Sequence, residues 1–153
     1  IYVKKNHNTK IEKSVNQILK EEERFGIKEY KTYQEFAKKI NIIRNNVRKN
    51  ISKLRNKNVK IIGYGSPAKA TTALNYFGIN SEINCIVEDN KLKQNKFLPG
   101  VKIPIISKDK IKERKDYMII LAWNFFNEIK KKNSKLAKKI ISIKDLEKDK
   151  LFF

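Results

Sequence analysis

The chain has 153 residues, 40% of them hydrophobic, and a formal net charge of +20 from 36 basic against 16 acidic side chains. That supplies the core of one globular domain and excludes a wholly disordered chain, while no apolar run approaches the roughly 18 residues a membrane span needs. A single cysteine and a single histidine exclude a disulfide framework and any histidine-based metal centre or triad, and the lone Cys85 fits a reducing, cytoplasmic setting.

The charge raises nucleic acid and anionic membrane as partners. The positive residues, however, are nearly all lysine and are spread along the whole chain. Arginine, which grips phosphates and reads bases through a bidentate fork, is scarce. The pattern reads as solvated helix faces in a lysine-biased proteome and argues against a specific nucleic-acid surface.

In chain order, Ile1-Tyr2-Val3 resembles the tail of a strand, and with no initiating Met the sequence reads as a piece of a longer protein. Ile11, Val15, Ile18 and Leu19 recur at helical spacing, in a segment ended by Gly26. Tyr30 to Lys57 is a second, longer amphipathic helix, with Phe36, Ile40, Ile43, Val47, Ile51 and Leu54 on one face. Thr32 is its expected cap, with Glu35 three residues on.

Val59 to Ile62 reads as a buried strand, broken by Gly63 and Gly65. Ser66 is placed to cap a helix from Pro67 to Phe77, and Gly78 to stop it. Strand, glycine turn and helix start together suit a phosphate: glycines allow close backbone approach, and the helix N-terminus favours an anion. Lys69, in the first turn, would add a full positive charge. The third glycine of the dinucleotide fingerprint is missing, as is a Walker-type Gly-Lys-Ser/Thr. From spacing alone the motif is either a phosphate seat or a plain strand–turn–helix corner.

Ile83 to Glu88 is a second strand, with Cys85 as a small core residue. Glu88 and Asp89 stand about twenty residues beyond the glycines, where an acid can take ribose hydroxyls. The same pair also suits a solvated strand-end turn. Residues 91–106 show no helical period and read as a long loop turning at Pro99-Gly100. Ser107 is expected to cap a short helix to about Lys115. Tyr117 to Ala122, apolar throughout, is a third strand covered on both faces. Trp123 then suits either core filling or stacking. Asn124 is the expected cap of a helix to about Lys132, with Phe126 and Ile129 inward. Lys139 to Ile143 is a fourth strand, and Leu151-Phe152-Phe153 closes a polar tail that would dock on something missing.

Alternating strands and helices predict an α/β fold: a doubly wound, mostly parallel sheet of about four or more strands, preceded by long amphipathic helices. Gly63, Glu88 and Trp123 would then open on one edge of the sheet.

Several of these residues form linked motifs: Gly63-Tyr-Gly-Ser-Pro-Ala-Lys69, Asn75-Tyr-Phe-Gly-Ile79, Glu88-Asp-Asn-x-x-Lys-Gln94, Pro99-Gly100, Ile103-Pro-Ile105, Trp123-Asn124-Phe125 and Glu128-Ile129. In this order they resemble the C-terminal domain of S-adenosylmethionine-dependent sugar C-methyltransferases. The resemblance covers most of residues 59–129. It implies a Rossmann-like domain over residues 31–153, with residues 1–30 as a linker and helix from a preceding methyltransferase domain. It also implies zinc bound only in an N-terminal segment outside this chain, and a methyl donor not bound by this domain alone.

The parent enzyme would methylate the carbon beside the carbonyl of a keto-deoxysugar nucleotide, a base removing the α proton and the enolate attacking the donor methyl. This chain would carry no catalytic residue and no metal. It would offer a wall of the substrate cleft. Gly63, Tyr64, Gly65, Ser66 and Lys69 would serve the phosphate, with Glu88 and Asp89 beside them and Trp123 and Asn124 for sugar or base. Its partners would be a nucleotide-linked sugar and the parent's own methyltransferase domain. Two positions depart from the family pattern: Glu88, where a second Asp is frequent, and Asn95, where Gly is usual. A non-catalytic scaffold, a dinucleotide binder and a charge-driven nucleic-acid module are the competing readings.

Overall fold

A computed structural model describes residues 11–148. The expected strand remnant at Ile1–Val3, His7 and the Leu151–Phe153 tail lie outside the described residues. By internal contacts the chain divides into two compact units, Ile1–Asn41 and Ile42–Phe153.

The first unit holds α1 (Lys13–Phe25), which ends at Gly26 in the left-handed conformation, φ 75°. The Gly26 N–H turns back to the carbonyls of Glu22 and Glu23, as a glycine stop should. The second helix, α2 (Tyr30–Asn56), begins in this unit and runs into the next. It starts before Thr32, so the expected Thr32–Glu35 cap falls inside it. The reason is local: Glu29 N–H bonds to Gly26 and Thr32 N–H to Glu29, so the turn after Gly26 runs straight into the helix.

The second unit is built on a six-stranded sheet, ordered β3-β4-β2-β1-β5-β6. Its strands are β1 (Ile61–Tyr64), β2 (Cys85–Val87), β3 (Lys96–Phe97), β4 (Pro104–Ile106), β5 (Lys115–Ile120) and β6 (Ala137–Ser142). Every neighbouring pair is parallel except β3–β4. Helix α3 (Ala68–Phe77) links β1 to β2, and α4 (Phe126–Lys132) links β5 to β6. The sheet is therefore mixed but mostly parallel, with flanking helices, and is consistent with a Rossmann-like fold. Order reverses at β1, which pairs with β2 on one side and β5 on the other.

Alternation along β1 sorts the core into two layers. Ile61 points to the side where Val47, Ile51 and Leu54 of α2 meet Ala70 and Leu74 of α3. Ile62 and Tyr64 point to the other, with Val87, Met118 and Ile120, against Phe126 and Ile129 of α4. Burying each such aliphatic side chain contributes roughly 1.5–3 kcal/mol, so both layers are anchored on the central strands. Asn50 of α2, wholly buried, donates from Nδ2 to the carbonyls of Leu146 at 2.8 Å and Lys148 at 3.3 Å.

Several expectations are corrected here. Gly63 does not break the strand; it lies within β1. A Cβ there would stand 3.1 Å from both Ile86 Cγ1 and Leu121 Cδ1, so glycine is needed for close packing. The residues read as one loop fold into a hairpin, β3–β4, that adds the sheet's antiparallel edge. Asn95 leads into it with φ 60°, the left-handed region for which glycine is suited and asparagine tolerated. The helix expected after Ser107 is one 3-10 turn, Lys108–Lys110, because β5 already starts at Lys115. The last strand starts earlier than expected. After it, Ile143–Glu147 forms a 3-10 helix with a capping box between Ser142 and Asp145.

Candidate functional site

Three strand ends meet at the carboxyl edge of the sheet, where its order reverses. The β1 end contributes Tyr64, Gly65, Ser66 and Pro67, and the β2 end Glu88, Asp89 and Lys93. Beyond β5 come Ala122 and Phe125, then Glu128 and Ile129 of α4. Together they line an open cleft of about 380 Å³. In open α/β sheets, ligands bind at such a reversal.

Gly65 makes the turn possible. Its φ is 83°, and a Cβ would lie 2.9 Å from that of Ala122, so a side chain there is both strained and crowded. Its N–H donates to the Val87 carbonyl at 2.8 Å, which ties the turn to β2.

Ser66 does not cap α3. Pro67 holds the N-cap position without a side-chain bond, and Ser66 faces Glu88 instead. It donates its N–H at 2.8 Å and its hydroxyl at 2.5 Å to Glu88 Oε2. Glu88 Oε1 also accepts from the Asn90 N–H at 3.1 Å. Burial works to raise the Glu88 pKa. The Ser66 and Asn90 bonds and the Lys93 charge outweigh it, so the carboxyl sits below its ordinary value. Lys93 Nζ lies 4.0 Å from Glu88 and donates to the Ser66 carbonyl at 3.0 Å.

Beside this pair the Tyr64 hydroxyl stands 2.9 Å from each oxygen of Asp89. Burial above all, then the Asp89 bond and charge and the Glu88 charge, push the Tyr64 pKa up to about 12, against a lowering contribution from Asn133. On the far wall Glu128 pairs with Lys132 at 2.7 Å. In a chain of net charge +20, this cleft gathers three carboxylates.

Lys69 and Trp123 lie elsewhere. Lys69 Nζ packs 3.9 Å from the centroid of the Trp123 ring, with Lys144 Nζ at 5.4 Å. Trp123 lines a second, apolar pocket of about 270 Å³ with Ile43 and Val47 of α2 and Ala73 and Phe77 of α3. Asn124 is exposed in the 3-10 turn Trp123–Phe125 and lines neither cavity. It does not cap α4, whose N-cap is Phe125. The structure thus brings together Tyr64, Gly65, Ser66, Glu88 and Asp89. Gly63 lies beneath them in β1, while Lys69, Trp123 and Asn124 are set apart.

Sequence reasoning did not assign Lys93, Phe125, Glu128 or Ile129 to the site. The usable signal was position, since each follows a strand end on the ligand-binding edge. Among the described residues, no group of three or more His, Cys, Asp or Glu is placed to hold a metal. No helix there is long and apolar enough to cross a membrane.

Residues 1–142 match the family model described as the C-methyltransferase C-terminal domain. Over 118 residues the chain is 34% identical to the C-methyltransferase NovU of Streptomyces niveus. That alignment takes in 76% of this chain and 28% of the relative, so the chain spans under a third of that protein's length.

Proposed function

The chain belongs to the C-methyltransferase C-terminal domain family, and on that premise we propose that it holds the substrate of a S-adenosylmethionine-dependent sugar C-methyltransferase. The substrate on this reading is a nucleotide-linked keto-deoxysugar. The observation that carries the reading is the carboxylate-lined cleft at the point where strand order reverses. Ionised carboxylates are strong acceptors for sugar and ribose hydroxyls. Asp89, anchored by Tyr64, and Glu88, anchored by Ser66, are held in fixed positions to accept them.

The arrangement suits hydroxyls better than phosphate at this spot. The Ser66 N–H, which a phosphate would use, already donates to Glu88. A diphosphate would extend out of the cleft, away from the three acids. With only 28% of the relative aligned, the methyl donor is assigned to the part of the protein outside this chain, where it supplies the methyl group. The fold reading extends likewise: helices α3 and α4 packed on opposite layers support a doubly wound sheet.

A second reading, a scaffold with no ligand, is favoured by one fact. The donors the sequence offered to phosphate, Ser66 and Lys69, are engaged within the chain. Thermal-shift and calorimetric titration of the full-length protein separates the two, using dTDP-, UDP-, GDP- and CDP-sugars, NAD and S-adenosylmethionine. Binding of one nucleotide-sugar class that weakens in Asp89→Asn supports the substrate domain. Binding indifferent to Asp89→Asn and Glu88→Gln leaves the scaffold.

A further inference from the structure

Helix α1 has no buried residue. Val15, Ile18 and Leu19 are 46%, 55% and 55% exposed, and Ile11, just ahead of the helix, is 66% exposed. At 100° per residue the three helical positions, Val15, Ile18 and Leu19, fall on one face, so their exposure forms a stripe. Its N-cap residue, Glu12, makes no side-chain cap bond. An isolated helix of this length, about 13 residues, is marginal in water, and most helical stability comes from packing an amphipathic face. An uncovered stripe on such a helix calls for a cover.

We propose that the cover is the part of the full-length protein that precedes this domain, and that the α1 stripe is the face on which the two dock. Three observations choose this occupant. The family match runs from residue 1, so α1 belongs to the family domain and is not an appendage. That family is by description a C-terminal domain, and the aligned stretch is only 28% of the relative. Helix α1 also lies at the N-terminal end of the matched stretch, nearest a preceding domain. Glu22 lies within the stripe and Glu21 and Glu23 flank it, while Lys13, Lys20 and Arg24 fall on the opposite face. The fitting partner surface is therefore an apolar groove rimmed by positive charge. The inference rests on family membership and does not require the cleft to bind anything.

The test is hydrogen exchange on the full-length protein, wild type against Ile18→Asp, with Ile18→Leu as the conservative control. Wild type and Ile18→Leu should protect residues 13–25 at least about tenfold over Ile18→Asp. Lysine cross-linking should join Lys13 or Lys20 to the preceding domain. Unprotected α1 amides in the wild-type protein would overturn the proposal. So would a Lys13–Lys13 cross-link with protection that rises with protein concentration, since that places a second copy on the stripe. Nucleotide-sugar titration of the same samples reads the cleft separately, so the two proposals fail independently.

Discussion

Ser66 gives both its backbone N–H and its hydroxyl to one oxygen of Glu88, at 2.8 and 2.5 Å. The glycine turn thereby carries its own anion. A carboxylate from the end of β2 fills the place that a ligand phosphate takes in sites of similar outline.

Removing that carboxylate leaves partly buried donors unpaired. Glu88→Ala should destabilise the domain by about 2 kcal/mol, with Glu88→Gln milder because an amide oxygen still accepts. Urea denaturation of the two variants checks the order. The acid group's pKa is lowered on folding, so its stabilisation is present above the unfolded value and lost as pH falls through the folded one. Wild type should lose more stability than Glu88→Gln as the medium is acidified through the carboxylate range.

Tyr64 should titrate late. Its pKa of about 12 is raised on folding, so its contribution is complete below the ordinary tyrosine range and lost as pH rises toward that value. Ultraviolet titration should show a late tyrosinate phase that Tyr64→Phe removes. A late phase that survives the substitution would belong to another tyrosine and would overturn the assignment to Tyr64.

Gly65→Ala should cost about 1–3 kcal/mol, from the left-handed backbone and the approach to Ala122. Asn95→Gly should stay within about 0.5 kcal/mol of wild type. Relief at φ 60° there offsets the loss of the Lys110 bond to Asn95 Oδ1. Thermal melts of both variants give the comparison.

Ligand binding should divide along the geometry. Asp89→Asn should weaken nucleotide-sugar affinity about tenfold or more, as the loss of a charged acceptor predicts. Lys69→Ala should leave affinity within about twofold and change the intrinsic fluorescence of Trp123, the chain's one tryptophan, whose ring it covers. Calorimetry and emission spectra on the same samples measure both.

The central motif was legible because its signals are local: an apolar run, two glycines and an Ala-rich helix closed by Gly78. What the motif faces was not. Spacing places Lys69 in the first turn of α3, but Trp123, which it packs against, arrives from beyond β5. The Ser66–Glu88 bond likewise joins two strand ends that only the sheet brings together. The β3–β4 hairpin escaped reading because β3 is two exposed residues long and β4 opens on a proline. A strand that short has no periodicity, and proline is tolerated at a strand's first position.

Asn50 ties the C-terminal part of α2 to the carbonyl of Leu146, a partner 96 residues later. During synthesis from the N-terminus, the helix emerges long before the turn that fixes it. Val47, Ile51 and Leu54 can meet Ile61, Ala70 and Leu74 soon after, but the Asn50 amide lacks this partner until Leu146 has left the ribosome. A stall or truncation upstream of Leu146 would release a product with most of its strands made and the buried Asn50 amide without that acceptor.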